Sequence, residues 1–190
     1  MVRAQTSVPR VASNPGDASG SLPYAIDHFS GQPQLVRVHQ SAVEHKANAN
    51  TNAIGELRGA HARTVLHDSM PSFYVHPAAV PNAPPTAVTF AIVRAFTAKD
   101  LRVFAQVEPD DEVGKAKHIV GFIQSTTQDL QDGWVKITPK TPLAPGEYAL
   151  NPIPRSQNQP SPVVFDFSID PAAPNTSDVV APPDPTQSSQ

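Results

Sequence analysis

The chain contains no cysteine, which excludes disulfide staples, thiolate metal sites and cysteine nucleophiles while leaving its redox compartment open. Charge is scarce as well. Charged residues make up 16% of the 190 positions and the formal net charge is -3, so nothing favours nucleic acid or an anionic membrane as a partner. No stretch reaches the roughly 18 to 20 apolar residues of a membrane-spanning helix. Phosphate-cradling G-x-x-x-x-G-K-[ST] and G-x-G-x-x-G loops do not occur, nor do the G-x-S-x-G and S-x-x-K signatures of a serine nucleophile.

What is present in quantity is proline, 22 residues against 9 glycines. Proline fixes φ and removes a backbone donor, so long helices cannot dominate this chain. Phe, Val and Ile nevertheless cluster in its middle, in runs able to bury surface. The composition shifts at both ends. Residues 1–21 hold Ser, Pro, Gly, Asn and Asp with little apolar content, and residues 171–190 contain no Lys, Arg or aromatic residue. Both ends are expected to be flexible, with 171–190 a disordered Pro-rich tail, leaving one folded domain at 22–170. Met1–Gln5 has no apolar h-region; Ala4 before Gln5 fits the scar of a removed leader and fits a genuine cytoplasmic start.

Within 22–170, short apolar segments alternate with turn residues. Strands are expected at Leu22–His28, Gln34–Val43, Glu56–Leu66, Ser72–His76, Ala87–Phe96, Leu101–Val107, His118–Gln124, Gly133–Thr138, Gly146–Leu150 and Val163–Ile169. That spacing predicts an all-β fold, a compact antiparallel β-sandwich, immunoglobulin-like in general build. Val88, Phe90 and Ile92 line one face of a strand whose other face is also apolar, which places it in the centre of a sheet. Thr97–Asp100 resembles a helix capping box, but the β-branched Val103 and Val107 and the nearby Pro109 favour a hairpin turning there. The Asn/Ala run 47–53 reads as a loop.

Seven histidines raise the question of a metal. The pair weighed is His61 and His67, six residues apart, and no H-x-H, H-x-x-x-H or H-E-x-x-H spacing occurs. On a strand over 60–67 the two would share a face but stand roughly 20 Å apart. Carboxylate pairs are available in Asp110, Asp111 and Glu112, which read as a solvated turn, or in Glu147 and Asp166. Alternation places the latter two opposite Tyr148, Leu150, Phe165 and Phe167, on a face expected to meet solvent. Lys115, Lys117 and His118 form too small a basic cluster for nucleic acid, and Asn175–Ser177 matches the N-glycosylation pattern within the expected tail. No catalytic, cofactor-binding or metal-ligating residue is therefore assigned.

Pro142–Gly146 presets a turn, and Glu147–Leu150 starts a strand whose Tyr148 is placed to anchor a sandwich corner through its hydroxyl. The run TPKTPLAPGEYAL, followed by VFDFSID, resembles the closing strands of a group of uncharacterised, predicted secreted bacterial proteins, P-L-x-P-G-E-Y-a-l and F-x-F-G-[VI]-D. MPSFYVHP and VTFAIVRAFTAKDLRVF are similar to earlier strands and a hairpin of that group, so the resemblance covers roughly 57–170. Ser168 departs from it where the group usually has Gly, and the Pro-rich ends have no counterpart. The resemblance implies export, a β fold and the hairpin over the helix; it implies no activity.

The expectation is thus a non-catalytic binding or structural accessory domain of the bacterial cell envelope or exterior, periplasmic or secreted, holding a protein or glycan partner on a sheet face or edge strand. Two other classes stay open. One is a subunit of an extracellular assembly built by edge-strand addition. The other is a hydrolase whose site would draw His61, His67 and Asp68 together.

Overall fold

The computed structural model describes residues 22–46, 54–80, 88–105, 121–130, 133–154 and 161–180. The expected flexible lead-in at 1–21, the loop at 47–53, Asp110, Asp111, Glu112, the basic cluster at 115–118 and the last ten residues lie outside the described residues.

The described chain forms strands β1 (Tyr24–Phe29), β2 (Gln32–Arg37), β3 (His39–Ala42), β4 (Glu44–Lys46), β5 (Ile54–Arg58), β6 (Thr64–Leu66) and β7 (Ser72–Val75). A 3-10 turn at Pro77–Ala79 precedes β8 (Val88–Ala98), β9 (Leu101–Ala105), β10 (Phe122–Ile123), β11 (Ser125–Asp129), β12 (Val135–Pro139), β13 (Gly146–Pro154) and β14 (Val163–Ile169). No helix among the described residues is long and apolar enough to cross a membrane.

Five strands make one sheet in the order β11-β12-β7-β1-β2. A second sheet runs β3-β14-β13-β8-β9-β5-β4, with β10 paired to β8 and β6 paired to β14. All pairings are antiparallel except β14 with β6. The principal core lies between the sheets and includes Ala25, Val36, Phe73, Val75, Phe90, Ile92, Ile137, Tyr148, Leu150, Phe165 and Phe167. The all-β, sandwich-like expectation is met. The finer immunoglobulin-like build finds no support in a sheet order whose nine strands curl over themselves.

That curl creates a second, smaller core of Val43, Leu57, Val93, Ala95, Phe104, Ala149 and Val164. Its residues come from the outer face of β8, β13 and β14, from β5 and β9, which lie over that face, and from Val43 between β3 and β4. Gly55 permits the close approach on β5, because a Cβ there would stand 2.6 Å from the Phe104 ring. The curl also corrects the expected exposure of Glu147 and Asp166. Alternation does put them opposite the aromatic face, but that face is covered: Glu147 is 6% and Asp166 1% exposed. All seven residues of β14 are buried.

The hairpin expected at Thr97–Asp100 forms, with Ala98 opposite Leu101 and Lys99 at φ 56° in the tight turn. Ser30 and Gly31 turn β1 into β2 with positive φ at both positions, the geometry that matches strand twist in a two-residue hairpin. Tyr148 faces Phe167 across β13 and β14, with the rings stacked at 5.6 Å. Its hydroxyl donates to Ala144 O at 2.7 Å, the corner bond that the Pro-Gly turn implied.

Several segments differ from expectation, among them His118–Gln124, of which only Phe122–Ile123 is strand among the described residues, and the unexpected strand Ser125–Asp129. Gln34–Val43 breaks at Val38 because the chain changes sheets there, Val38 N donating to Pro23 O. Glu56–Leu66 breaks at residues 59–63, so no strand carries both His61 and His67. The tail expected to be disordered from 171 is instead placed as far as 180. Arg37 N donates to Asp178 O, Val180 N donates to Leu35 O, and Val179 bridges Val36, so the segment adds to the outer edge of β2. A proline-rich composition does not prevent this, since an extended backbone needs only a few free donors to pair with a sheet edge.

Candidate functional site

Three clusters of polar side chains stand out among the described residues. The first sits in the smaller core. Arg102 projects from β9 on the same face as Phe104 and is 2% exposed. Its Nη1 donates to Asp166 Oδ2 and lies 3.6 Å from Glu147 Oε2, while Nε and Nη2 donate to the carbonyls of Gly59 and Arg58. Asp166 Oδ1 accepts from Ser41 Oγ at 2.6 Å, and Glu147 Oε2 accepts from Ala62 N at 2.8 Å. Charges taken this far from water survive only when paired and hydrogen-bonded throughout, as these are. The network is internally satisfied and pins the loop 59–62 to the sheet.

The second cluster centres on Asp27, which is wholly buried within β1, on the core-facing side that Ala25 also occupies. Oδ1 accepts from His67 N and Asp68 N at 2.7 Å each; Oδ2 meets His67 Nδ1 at 2.8 Å and Gln34 Nε2 at 3.1 Å. Burial by itself raises the Asp27 pKa. The bonds from the His67 ring, the Asp68 amide, Gln34 and the His67 amide together outweigh it and hold the carboxyl below its ordinary value. On the other side of the ring, His67 Nε2 faces the carbonyls of Ala173 and Pro174 at 3.2 and 3.4 Å. An Asp–His pair of this kind orients the imidazole in a hydrolytic triad, but there Nε2 must meet a nucleophilic hydroxyl. Here it meets backbone of the C-terminal segment. Gln34 continues the clasp by donating to Asn175 Oδ1, so Asn175 of the glycosylation-like triplet is engaged in side-chain bonding.

The third cluster lies where that segment crosses the end of β2. Arg37, His39, Arg63, Ser177, Asp178, Val179 and Val180 line a half-open cavity of about 250 Å³. Asp178 Oδ1 stands 3.0 Å from His39 Nε2 and 3.8 Å from an Arg63 nitrogen. The His39 contact is close but off the line of a good hydrogen bond, leaving Nε2 buried without one. Arg37 Nε is likewise buried without a partner. The lining thus carries two guanidiniums and an imidazole against one carboxylate, of which His39 and Arg63 approach that carboxylate.

The residues of the hydrolase reading are not assembled. His67 and Asp68 both meet Asp27, but Asp68 also bonds His28 at the surface, Oδ2 to Nδ1 at 2.7 Å. His61 belongs to the first cluster, its side chain 83% exposed and its Nδ1 3.1 Å from Glu147 Oε1. No group of three or more His, Asp or Glu able to hold a metal ion occurs among the described residues. His76 follows β7 and caps the 3-10 turn at Pro77–Ala79, its ring accepting from Ala78 N. Sequence reasoning passed over Arg37, His39, Arg63, Arg102 and Asp178. Two signals were available: Asp27 falls in phase with Ala25 on an apolar face, and Arg102 in phase with Phe104. Each marks a charge that needs a buried partner. No protein family, no curated protein and no solved structure matches the chain.

Proposed function

We propose that the domain is a non-catalytic binding or structural module of the bacterial cell envelope or exterior, engaging its protein partner as an extended chain along the β2 edge. The observation that carries this reading is the C-terminal segment itself. Residues 178–180 lie on that edge through the Val179 bridge and two backbone hydrogen bonds, Arg37 N to Asp178 O at 3.0 Å and Val180 N to Leu35 O at 2.7 Å. An edge that accepts one extended segment offers the same donors and acceptors to another, with side-chain pockets supplying selectivity. A subunit that assembles by strand addition would use this same edge, with the segment supplied by a second copy. Placement outside the cytoplasm is supported by the resemblance over roughly 57–170. The catalytic reading is weakened because the hydrolase candidates are spread over two clusters and His67 Nε2 is covered by carbonyls.

The test uses the full chain carrying Val180→Pro, which removes the amide that donates to Leu35 O. A synthetic peptide of residues 171–180 is titrated into this isotope-labelled variant. Saturable shifts at the amides of Leu35 and Arg37, absent with a scrambled peptide, are expected. Shifts that do not saturate, or that match those of the scrambled peptide, overturn the edge as the binding surface.

A further inference from the structure

We infer that the cavity between β2, β3 and the C-terminal segment is an oxyanion-binding site, taking a phosphate or a carboxylate group of a small ligand. The site is complete with the segment in place, since Ser177, Asp178, Val179 and Val180 form part of its wall, so it does not depend on the edge being vacated.

Three observations converge. The first is an imbalance of charge, because Arg37 and Arg63 bring two permanent cations and His39 a third group able to become one, against the single carboxylate of Asp178. The second is the unpaired donor: Arg37 Nε is buried without a partner although it belongs to a charged group. A buried charged donor left unmet costs more than a typical hydrogen bond contributes, so the Arg37 side chain gains by turning its guanidinium onto an acceptor oxygen in the cavity it lines. His39 Nε2, misaligned with Asp178, adds a second under-used nitrogen on the same wall.

The third observation is reach. Arg63 is 73% exposed at the side chain and touches Asp178 only at 3.8 Å, so most of its planar fork is free to turn onto a ligand. Guanidinium forks match phosphate and carboxylate oxygens in pairs, which a lone ammonium does not do. Ser177 provides a hydroxyl on the same lining. A volume of about 250 Å³ admits more than a bare ion, in keeping with the anionic group of a phosphorylated or uronic-acid ligand. Asp178 has a distinct role here. It stands beside His39 and Arg63 and competes with the incoming anion for them, so its charge sets how tightly the site binds.

The experiment titrates the full-length protein, isotope-labelled, with inorganic phosphate and separately with glucuronate, chloride holding the ionic strength constant. Saturable shifts at the amides of Arg37, Arg63 and Asp178 are expected with at least one of them, and the stronger binder names the ligand class. Losing one charge-assisted contact corresponds to about a tenfold weakening, expected for Arg37→Gln and for Arg63→Gln. Asp178→Asn should bind more tightly than the natural chain, a gain that a merely structural carboxylate would not produce. Arg58→Gln, which alters a surface guanidinium paired with Glu44, should bind as the natural chain does. Should Arg37→Gln not fold, the exposed Arg63 decides the matter. Non-saturating shifts with both anions, or equal affinity in the natural chain and Arg63→Gln, overturn the proposal.

Discussion

Arg102 of β9 and Asp166 of β14 form a buried ion pair although two other strands, β8 and β13, separate their own in the sheet order. Only the curl of the sheet brings them together. Strand alternation alone places Asp166 on a solvent-facing surface, where its loss would change stability by under about 1 kcal/mol. Burial reverses that expectation. Removing one partner strands the other charge, so Asp166→Ala and Arg102→Ala should each destabilise by about 3–5 kcal/mol. Glu147→Ala should cost about 1–3 kcal/mol, because Ala62 N loses its acceptor. Urea denaturation midpoints measure all three, and a loss below about 1 kcal/mol for Asp166→Ala would contradict the buried pair.

Tyr148 and Phe167 carry the principal core between β13 and β14. Truncating either to Ala should cost about 3–5 kcal/mol, a large part of the roughly 5–15 kcal/mol available to a domain of this size. Tyr148→Phe isolates the corner bond to Ala144 O and should cost about 0.5–1.5 kcal/mol by the same measurement.

Asp27 predicts an acid-sensitive fold. Its carboxyl pKa is held down in the folded state, so the stability it contributes is complete above the ordinary carboxylate value of about 3.9. That contribution is lost as pH falls through the lower folded value. Stability measured from pH 6 to about pH 2.5 should therefore decline more steeply in the natural chain than in Asp27→Asn, which has nothing to protonate. Parallel declines would show that the carboxylate is not held as described.

Gly55 is required by the Phe104 ring rather than by its own backbone angle. Gly55→Ala pushes a methyl to 2.6 Å from that ring and to 3.0 Å from Val43. Overpacking of this kind should cost about 1–3 kcal/mol, read from the thermal midpoint. The paired variant Gly55→Ala with Phe104→Leu should recover part of the loss by making room.

Residues 171–180 should behave as part of the domain. The amides of Arg37 and Val180, bonded to Asp178 O and Leu35 O, are expected to exchange with deuterium much more slowly than an unstructured chain allows. Exchange at unstructured rates at Val180 would return the boundary to about 170.

The sequence by itself determined the elements whose signals are local. Period-two alternation marks Val88–Ile92 and Phe165–Phe167, the proline and glycine of 142–146 mark a turn, and β-branched residues select the hairpin at Lys99–Asp100 over a helix. Each depends only on steric preferences within a few residues. Ser125–Asp129 escaped notice for the same reason: a polar edge strand has no apolar face to alternate. The tertiary structure alone decided what covers each face. Burial of Asp166 depends on β9 lying over β14, and the fate of His67 on an Asp forty residues earlier in the chain. The placement of Asp178 depends on a free edge presented by β2. Pairings that distant obey no sequence period, because they follow from sheet curvature and from which polar groups remain unsatisfied once the cores have closed.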